Sequence, residues 1–343
     1  MRQRFKLRGA LFFLAGFQSL ILLAGFFAPY HPTAQDRQSP FAPPTPIHFF
    51  DAQGKFHLRP FIYGPENEPA NPNASSLDST RVFPIRFFVA GARYRIAGLV
   101  PVRFHLLGVE APGRIFLLGS DGYGRDQLSR FLYGGQLSLL SGLVAAAVSV
   151  FLGILVGGLA GFYGGWLDQA LMRGAELFLA LPWLYLLFAV RAVLPLHITE
   201  SQVFFLLVGV MGLIGWARPA RLIRGVVLTA KERNFVLAAR GFGASDSYLL
   251  CRHILPQASG VVLTQVALLV PQFVLAEVTL TFLGLGVSEP LASWGSLLSS
   301  LEQYSVLTSY WWMFLPALLL IPLFLGYYAA ADALQERFKS VSL

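Results

Sequence analysis

Six stretches of this chain are long, apolar and nearly free of charge: Ala10–Pro29, Leu137–Phe162, Ala175–Leu194, Val203–Trp216, Val261–Leu283 and Trp311–Ala331. A helix needs about 20 apolar residues to cross a bilayer. Inside the bilayer every backbone N–H and C=O must be satisfied within the chain, so runs of this kind are built as helices. The fourth run is short, and is expected to continue past Trp216 with Arg218 snorkelling to the interface. Of the 343 residues 55% are hydrophobic and only 13% are charged, against roughly 25% charged in a soluble domain. A very apolar soluble core would not require runs of such length. The expected fold is therefore an all-α polytopic membrane protein with six transmembrane helices.

Charge placement gives the orientation. Arg2, Arg4, Lys6 and Arg8 precede the first run, and Arg337 and Lys339 follow the last. Lys and Arg collect on the cytoplasmic side of membrane proteins, so both termini are expected inside. Six spans then place the loop between the fourth and fifth inside as well. That loop carries Arg218, Arg221, Arg224, Lys231, Arg233, Arg240 and Arg252 against Glu232 and Asp246 as its only acids. The net charge of +8 follows this bias, and no array of Arg and aromatic residues of the single-strand-binding kind is present. The first run exceeds a 7–15-residue signal-peptide core and no small-x-small cleavage site follows Tyr30, so it is expected to be retained. The one cysteine, Cys251, excludes an internal disulfide and reads as a neutral free thiol.

Three domains are expected: residues 1–30, a cytoplasmic N-tail and first span; residues 31–135, an extracytoplasmic insertion leading to the second span; and residues 136–343, a five-helix core with a cytoplasmic loop over 217–258. In the insertion Pro40–Pro46 reads as extended. Ile47–Phe50, a turn over Asp51–Gly54, and Lys55–Ile62 read as a hairpin. Pro65–Ser79 reads as loop, and Val82–Ala90 and Arg93–Leu107 as further strands. The insertion is thus expected to be small and β-rich.

The loop between the fourth and fifth runs holds the most informative motif. Thr229 and Glu232 have capping-box spacing, which predicts a helix from Ala230. Phe235, Ala238, Ala239 and Phe242 fall on one face of it, and the two alanines leave a shallow place for another protein. Gly241 or Gly243 supplies the left-handed residue that ends it. Ser245 caps a second helix and Pro256 marks its end.

In this segment Ala238, Ala239, Gly243, Leu255 and Pro256 stand in the register Glu-Ala-Ala, three residues, Gly, nine residues, Ile, one residue, Leu-Pro. It resembles the cytoplasmic coupling loop of ABC-importer permeases. Leu237 replaces the family's Glu, and His253 its Ile. The resemblance continues through Leu118–Gly134, with Asp121, Arg125, Asp126 and Arg130 close together, and through Gly161–Asp168, Met172-Arg173, Glu176, Pro182 and Trp216–Arg224. Leu280–Val287 and Ser293-Trp-Gly295 are similar to the dipeptide, oligopeptide and nickel branch. The likeness is weak over residues 1–30 and strong over 115–343.

The resemblance implies a type I permease fold and a subunit that forms half of a translocation pathway. It also implies a second homologous permease, two ABC ATPase subunits and an extracytoplasmic substrate-binding protein as partners, in a bacterial inner membrane. The residues it assigns to ATPase coupling are Phe235, Leu237, Ala238, Ala239, Arg240, Phe242, Gly243, Ala244, Leu255 and Pro256. ATP and Mg belong to the partner subunits. The chain itself reads as non-catalytic: the Gly119–Gly124 cluster lacks the Gly-Lys-Ser/Thr of a phosphate loop, and the histidines have no metal-ligand spacing. No nucleic-acid partner is expected, whereas membrane lipid is.

The polar groups within or beside the spans also call for a role. Glu277 in the fifth span and Glu176 in the third read either as pathway residues or as buried structural acids. Asp121, Arg125, Asp126 and Arg130 read as an interfacial cap able to cross-pair. Gly153, Gly157, Gly158 and Gly161 give the second span a small-residue face for close packing. An ion-coupled secondary transporter would need ionisable groups along several spans, and only Glu277 offers one. A transport-inactive receptor or scaffold of the same fold is the remaining alternative.

Overall fold

The computed structural model describes residues 2–65, 77–96, 100–193, 199–287 and 289–339. The chain opens with α1 (Arg2–Leu22) and the single turn α2 (Ala24–Phe27). Five strands follow: β1 (His48–Phe50), β2 (Phe56–Pro65), β3 (Leu77–Pro84), β4 (Arg86–Ile96) and β5 (Val100–Gly108). The rest is helical: α3 (Gln127–Tyr163), α4 (Gly165–Ala180), α5 (Trp183–Val193), α6 (Glu200–Ile214), α7 (Ala217–Ala230), α8 (Asn234–Gly241), α9 (Asp246–Tyr248), α10 (Ser259–Phe282), α11 (Trp294–Leu298), α12 (Tyr304–Ser309) and α13 (Leu315–Lys339). Two compact units result. One takes Met1–Ala15, Ser138–Val287 and Pro322–Leu343; the other takes Gly16–Leu137 and Ser288–Ile321.

Four helical stretches are long and apolar enough to cross a membrane: Gln127–Tyr163, Phe204–Ala230, Asp246–Phe282 and Trp311–Phe338. The pair Gly165–Ala180 and Trp183–Val190, bent by 86°, makes a fifth if counted as one span. The fourth expected run does continue past Trp216, and Arg218 is exposed. The first expected span is not matched. Arg2, Arg4, Lys6 and Arg8 occupy the first two turns of α1, and the helix stops at Leu22. What remains of α1 alone falls short of the roughly 20 apolar residues a crossing needs, and α2 takes the apolar run on to Phe27 after a break at Leu23.

In the unit that contains Gly16–Leu137, the strands form a three-stranded antiparallel sheet, β1-β2-β3, and a two-stranded one, β4-β5. The β1–β2 turn is set by Asp51, whose Oδ1 accepts from the N–H groups of Gln53 (3.0 Å) and Lys55 (2.8 Å), with Gly54 left-handed at φ +80°. That hairpin lies where the sequence puts it. The expected single strand Val82–Ala90 is instead broken at Ile85, because Ile85 turns inward to form a core with Ile62 and Ile115. Residues 66–76 of the expected loop lie outside the described residues, and β3 begins at Leu77, inside the range assigned to that loop. His105 is buried between the carbonyl oxygens of Ala28 (2.8 Å) and Ala92 (3.0 Å), which fixes β5 against the end of α2. Ser293 caps α11, and Trp294 stacks on Phe131 and donates its indole N–H to the Phe131 carbonyl at 3.0 Å.

In the other unit the glycine face of α3 packs on α7. A Cβ at Gly153 would stand 2.6 Å from Pro219, one at Gly161 2.9 Å from Val227, and one at Gly157 would overlap the Ala220 carbonyl oxygen. Gly158 is looser, 3.4 Å from Leu255. The small residues therefore serve close approach between helices of this one subunit. Ser149 donates to the Gly212 carbonyl at 2.9 Å, a polar bond inside an apolar interface.

Candidate functional site

The segment from Ala217 to Ala258 is pinned from one side only. Ile223, Val227 and Ala230 of α7, Val236 of α8, Leu249 and Ile254 of the following turns, Ala258 and Phe162 form one buried apolar cluster. Each fully buried Val, Leu or Ile side chain contributes about 1.5–3 kcal/mol, so the cluster holds the short α8 in place. Helices this short are marginal alone. Lys231 adds a bond from Nζ to the Gly161 carbonyl at 2.9 Å.

The expected helix start at Ala230 does not occur. Thr229 already lies in the last turn of α7, and its hydroxyl donates back to the Gly225 carbonyl at 3.2 Å. It is therefore unavailable as a cap. The chain breaks over Lys231–Arg233, and α8 starts at Asn234 with no side-chain cap.

The end of α8 follows the sequence closely. Gly243 is left-handed at φ +86°. Its N–H donates to the Arg240 carbonyl at 3.0 Å, and the N–H of Ala244 donates to the Ala239 carbonyl at 3.1 Å. This is a Schellman ending, whose C″ residue commonly packs against C3. Ala244 and Ala239 do both pack against the buried cluster. Ala239 thus faces inward, and the shallow place expected at two alanines is supplied by Ala238 alone. Phe242 is 93% exposed, and Phe235 and Leu237 are about half exposed, while Val236 is 1% exposed. Arg240 lies over the Phe162 ring at 5.5 Å and pairs with Asp246 at 3.5 Å, both partners half exposed.

Ser245 caps as expected, its hydroxyl accepting from Tyr248 N–H at 3.4 Å. Pro256 does not end the helix. The chain widens into a π-type turn over Leu249–Ile254, tightens to a 3-10 turn over Leu255–Ala258 and runs on as α10. The missing N–H of Pro256 falls where regular α-bonding is already suspended, so the rod survives. Leu255 packs into the cluster and Pro256 is exposed. Sequence reasoning missed the ring contacts of His253, 6.1 Å from Phe235 and 5.3 Å from Tyr248. They extend the aromatic surface of α8 across the glycine bend, and the only sequence sign was the His itself. Cys251 is exposed.

The other candidates separate clearly. Asp121, Arg125 and Arg130 do come together, around a residue the motif did not contain, Glu289. Arg125 Nε donates to Asp121 Oδ2 at 2.7 Å, and its Nη1 and Nη2 donate to Glu289 at 2.7 and 2.9 Å. Arg130, 2% exposed, donates from Nη2 to Glu289 Oε1 at 2.8 Å. Burial pulls the Glu289 carboxyl upward, but the hydrogen bonds and charges of both arginines outweigh it and hold it below the usual range. Asp126 does not join the arginines. Its Oδ2 accepts from the backbone N–H and hydroxyl of Ser129 at 2.7 and 2.6 Å, so it caps α3. Burial lifts its pKa to about 6, against the lowering effect of the Ser129 bonds.

Glu277 is 2% exposed and accepts from the hydroxyls of Ser138 (2.7 Å) and Thr281 (2.9 Å). Thr281 in turn accepts from Val287 N–H at 3.2 Å. This is a satisfied structural acid that ties α3 to α10. Glu176 is exposed and pairs with Arg173 at 3.0 Å. Among the described residues no group of His, Cys, Asp and Glu is arranged to hold a metal.

Residues 125–340 match the family described as the binding-protein-dependent transport system inner membrane component. The oligopeptide transport system permease protein OppC of Bacillus subtilis is 35% identical over 66% of this chain and 72% of its own length. The dipeptide transport system permease protein DppC of the same organism is 33% identical over 64% of this chain and 66% of its own. The OppC protein of Mycobacterium bovis is 31% identical over 73% of this chain and 85% of its own. The matched residues start at Arg125, so they take in Arg130, the segment from Ala217 to Ala258 and Glu277 but leave out the strands. The chain belongs to the family of inner-membrane components of binding-protein-dependent transport systems.

Proposed function

We propose that this chain is the permease subunit of an ATP-driven importer of peptides or related small solutes, and that α8 is where the ATPase grips it. Supporting this reading is one observation above the others. A short helix is locked by an apolar cluster and a Schellman bend, yet turns Phe235, Leu237, Ala238 and Phe242 outward. Exposed apolar groups of this density, rimmed by arginines, mark a protein-docking surface.

Family membership supports a fuller assembly. A second homologous permease supplies the other half of the path, two ATPase subunits bind ATP and Mg, and a soluble binding protein delivers cargo outside. The fold is of the type I importer kind, with α1 as a sixth span extended by α2. Both termini and the docking segment are cytoplasmic. The β-strand region between α2 and α3 is extracytoplasmic and meets the binding protein or covers the path. Closure of the ATPases on ATP then moves α8, and the spans shift between inward- and outward-open states as a rigid-body change.

The test uses Ala238→Glu in the assembled importer. Ala238 is preferred to Ala239 because Ala239 packs into the cluster, where Glu would disturb folding. The variant is expected to insert normally but to lose co-purifying ATPase and transport. Wild-type ATPase yield would overturn the docking role, and solute movement by the purified chain without nucleotide would overturn the importer reading.

A further inference from the structure

A second polar feature of the α3–α10 unit lies outside the docking segment. α4 and α7 enclose an open cavity of about 640 Å³, lined by Trp166, Asp168, Arg173, Glu176, Arg221 and Arg224 among others. Its charges are unequally committed. Arg224 is clamped by Asp168 through two bonds, Nε to Oδ1 at 2.5 Å and Nη2 to Oδ2 at 2.6 Å. Arg173 meets Glu176 only in an exposed i,i+3 pair, which is worth little in water. Arg221 is exposed and makes no ion pair among the described residues. Three guanidinium groups face two carboxylates, so the cavity keeps one positive charge.

The surroundings say what kind of anion suits it. α4 leaves the line of α5 at 86°. Asp168, Arg173 and Glu176 share one side of it, and Trp166, 78% exposed, stands beside Arg173 at the edge of that side. An exposed Trp beside basic residues is the composition found where a helix meets the membrane–water interface. A basic cavity at that depth meets lipid headgroups before it meets bulk solvent.

We propose that this cavity binds the phosphodiester headgroup of an anionic phospholipid. Arg221 and Arg173 contact the phosphate, Arg224 is held as a fixed wall by Asp168, and Trp166 lies against the glycerol and upper acyl chain. A singly charged phosphodiester neutralises the one uncompensated guanidinium. A free inorganic phosphate shares that chemistry but leaves Trp166 without a partner. The inference rests on the chain being a membrane protein and is independent of its cargo.

The test uses the assembled importer in phosphatidylcholine nanodiscs doped with phosphatidylglycerol brominated in its acyl chains. The signal is the quenching of Trp166, taken as the difference between wild type and Trp166→Phe. Quenching is expected to saturate at a low fraction of phosphatidylglycerol, whereas brominated phosphatidylcholine quenches only in proportion to its amount. Arg221→Gln should raise the fraction needed about fivefold, the weight of one basic residue near an anionic surface, and Glu176→Gln should lower it. Because Arg221 and Glu176 are exposed, both variants should fold, as unchanged thermal unfolding will show. Three outcomes would overturn the proposal. One is an unchanged curve for Arg221→Gln. Another is relief of quenching by millimolar inorganic phosphate, which makes free phosphate the ligand. The third is loss of the ATPase from Arg221→Gln with lipid quenching intact, which assigns the cavity to a protein partner.

Discussion

The segments Asp121–Arg130 and Asn234–Ala244 each lie between long apolar runs, and they are built in opposite ways. In the first, the charged groups answer one another: buried Arg125 and Arg130 close on Asp121 and the partly exposed Glu289, and Asp126 turns to cap α3. In the second, the apolar groups are buried beneath, and Arg240, Phe235 and Phe242 are turned outward with little to hold them. A buried charge cluster that is satisfied from within has nothing to offer a partner. An outward apolar face with an immobile base does. The first segment carries four charged residues and the second only Arg240, and the location of their partners, inside the fold or missing from it, separates them further.

The comparison can be broken by substitution. The largest effect is expected in the buried cluster. Arg130→Met removes one of two cations from Glu289 and should destabilise by about 1.5–3 kcal/mol, the range for a hydrogen bond to a charged group, because Glu289 is partly exposed and keeps Arg125. Thermal unfolding of the purified complex reads it, and a shift comparable to that of a surface arginine would mean the cluster is not the support described.

Next comes pH. Asp126 ionises near 3.8 when unfolded and at about 6 when folded. Between those values the folded state binds more protons than the unfolded, so stability from this group falls as pH rises from about 4 to 6, by roughly 3 kcal/mol at most. Glu289 acts with the opposite sign: its lowered pKa means that stability is lost as pH falls through the acid side of that range. Asp126→Asn keeps an acceptor for Ser129 and should flatten the slope between pH 4 and 6. A slope unchanged in the variant would place the titration elsewhere.

Gly243→Val should cost about 1–3 kcal/mol through backbone strain alone, since the position is left-handed and a Cβ there meets nothing within 4 Å. Partial rescue by Asn, which tolerates that conformation, would sharpen the assignment, and no rescue would point to a steric contact with the ATPase. The smallest stability effects belong to the outward face. Phe242→Ala and Leu237→Glu should each shift unfolding by no more than ~0.5 kcal/mol. Phe242→Ala should nevertheless reduce ATPase co-purification, and Leu237→Glu tests whether an acid at that position strengthens it. Large unfolding shifts with normal ATPase binding would invert the roles of the two segments.

How far the sequence was legible depended on the range of the interactions. The apolar runs, the Asp51–Gly54 turn, the Gly243 bend and the Ser245 cap all depend on residues a few positions apart, and each was readable. Glu289 was not, because its arginine partners are far away in the chain and no local pattern joins them. The inward turn of Ala239 was also hidden. Helical spacing puts it with Ala238 and Phe242, and only the cluster built from Phe162, Ile223 and Leu249 decides which side is covered. Thr229 failed as a cap because α7 had already claimed it, a competition between neighbouring helices that spacing alone does not settle.

The widened turn at Leu249–Ile254 has a consequence for how movement is passed on. Because it holds the chain together between α9 and α10, the residues from Asp246 to Phe282 act as one 37-residue shaft, with α8 attached to its head like a handle. The extra residue in that turn sets the angular phase between handle and shaft. Removing one residue there, Cys251 for example, would turn the head by about 100° and draw Leu249 and Val236 out of the cluster they share with Ile223 and Phe162.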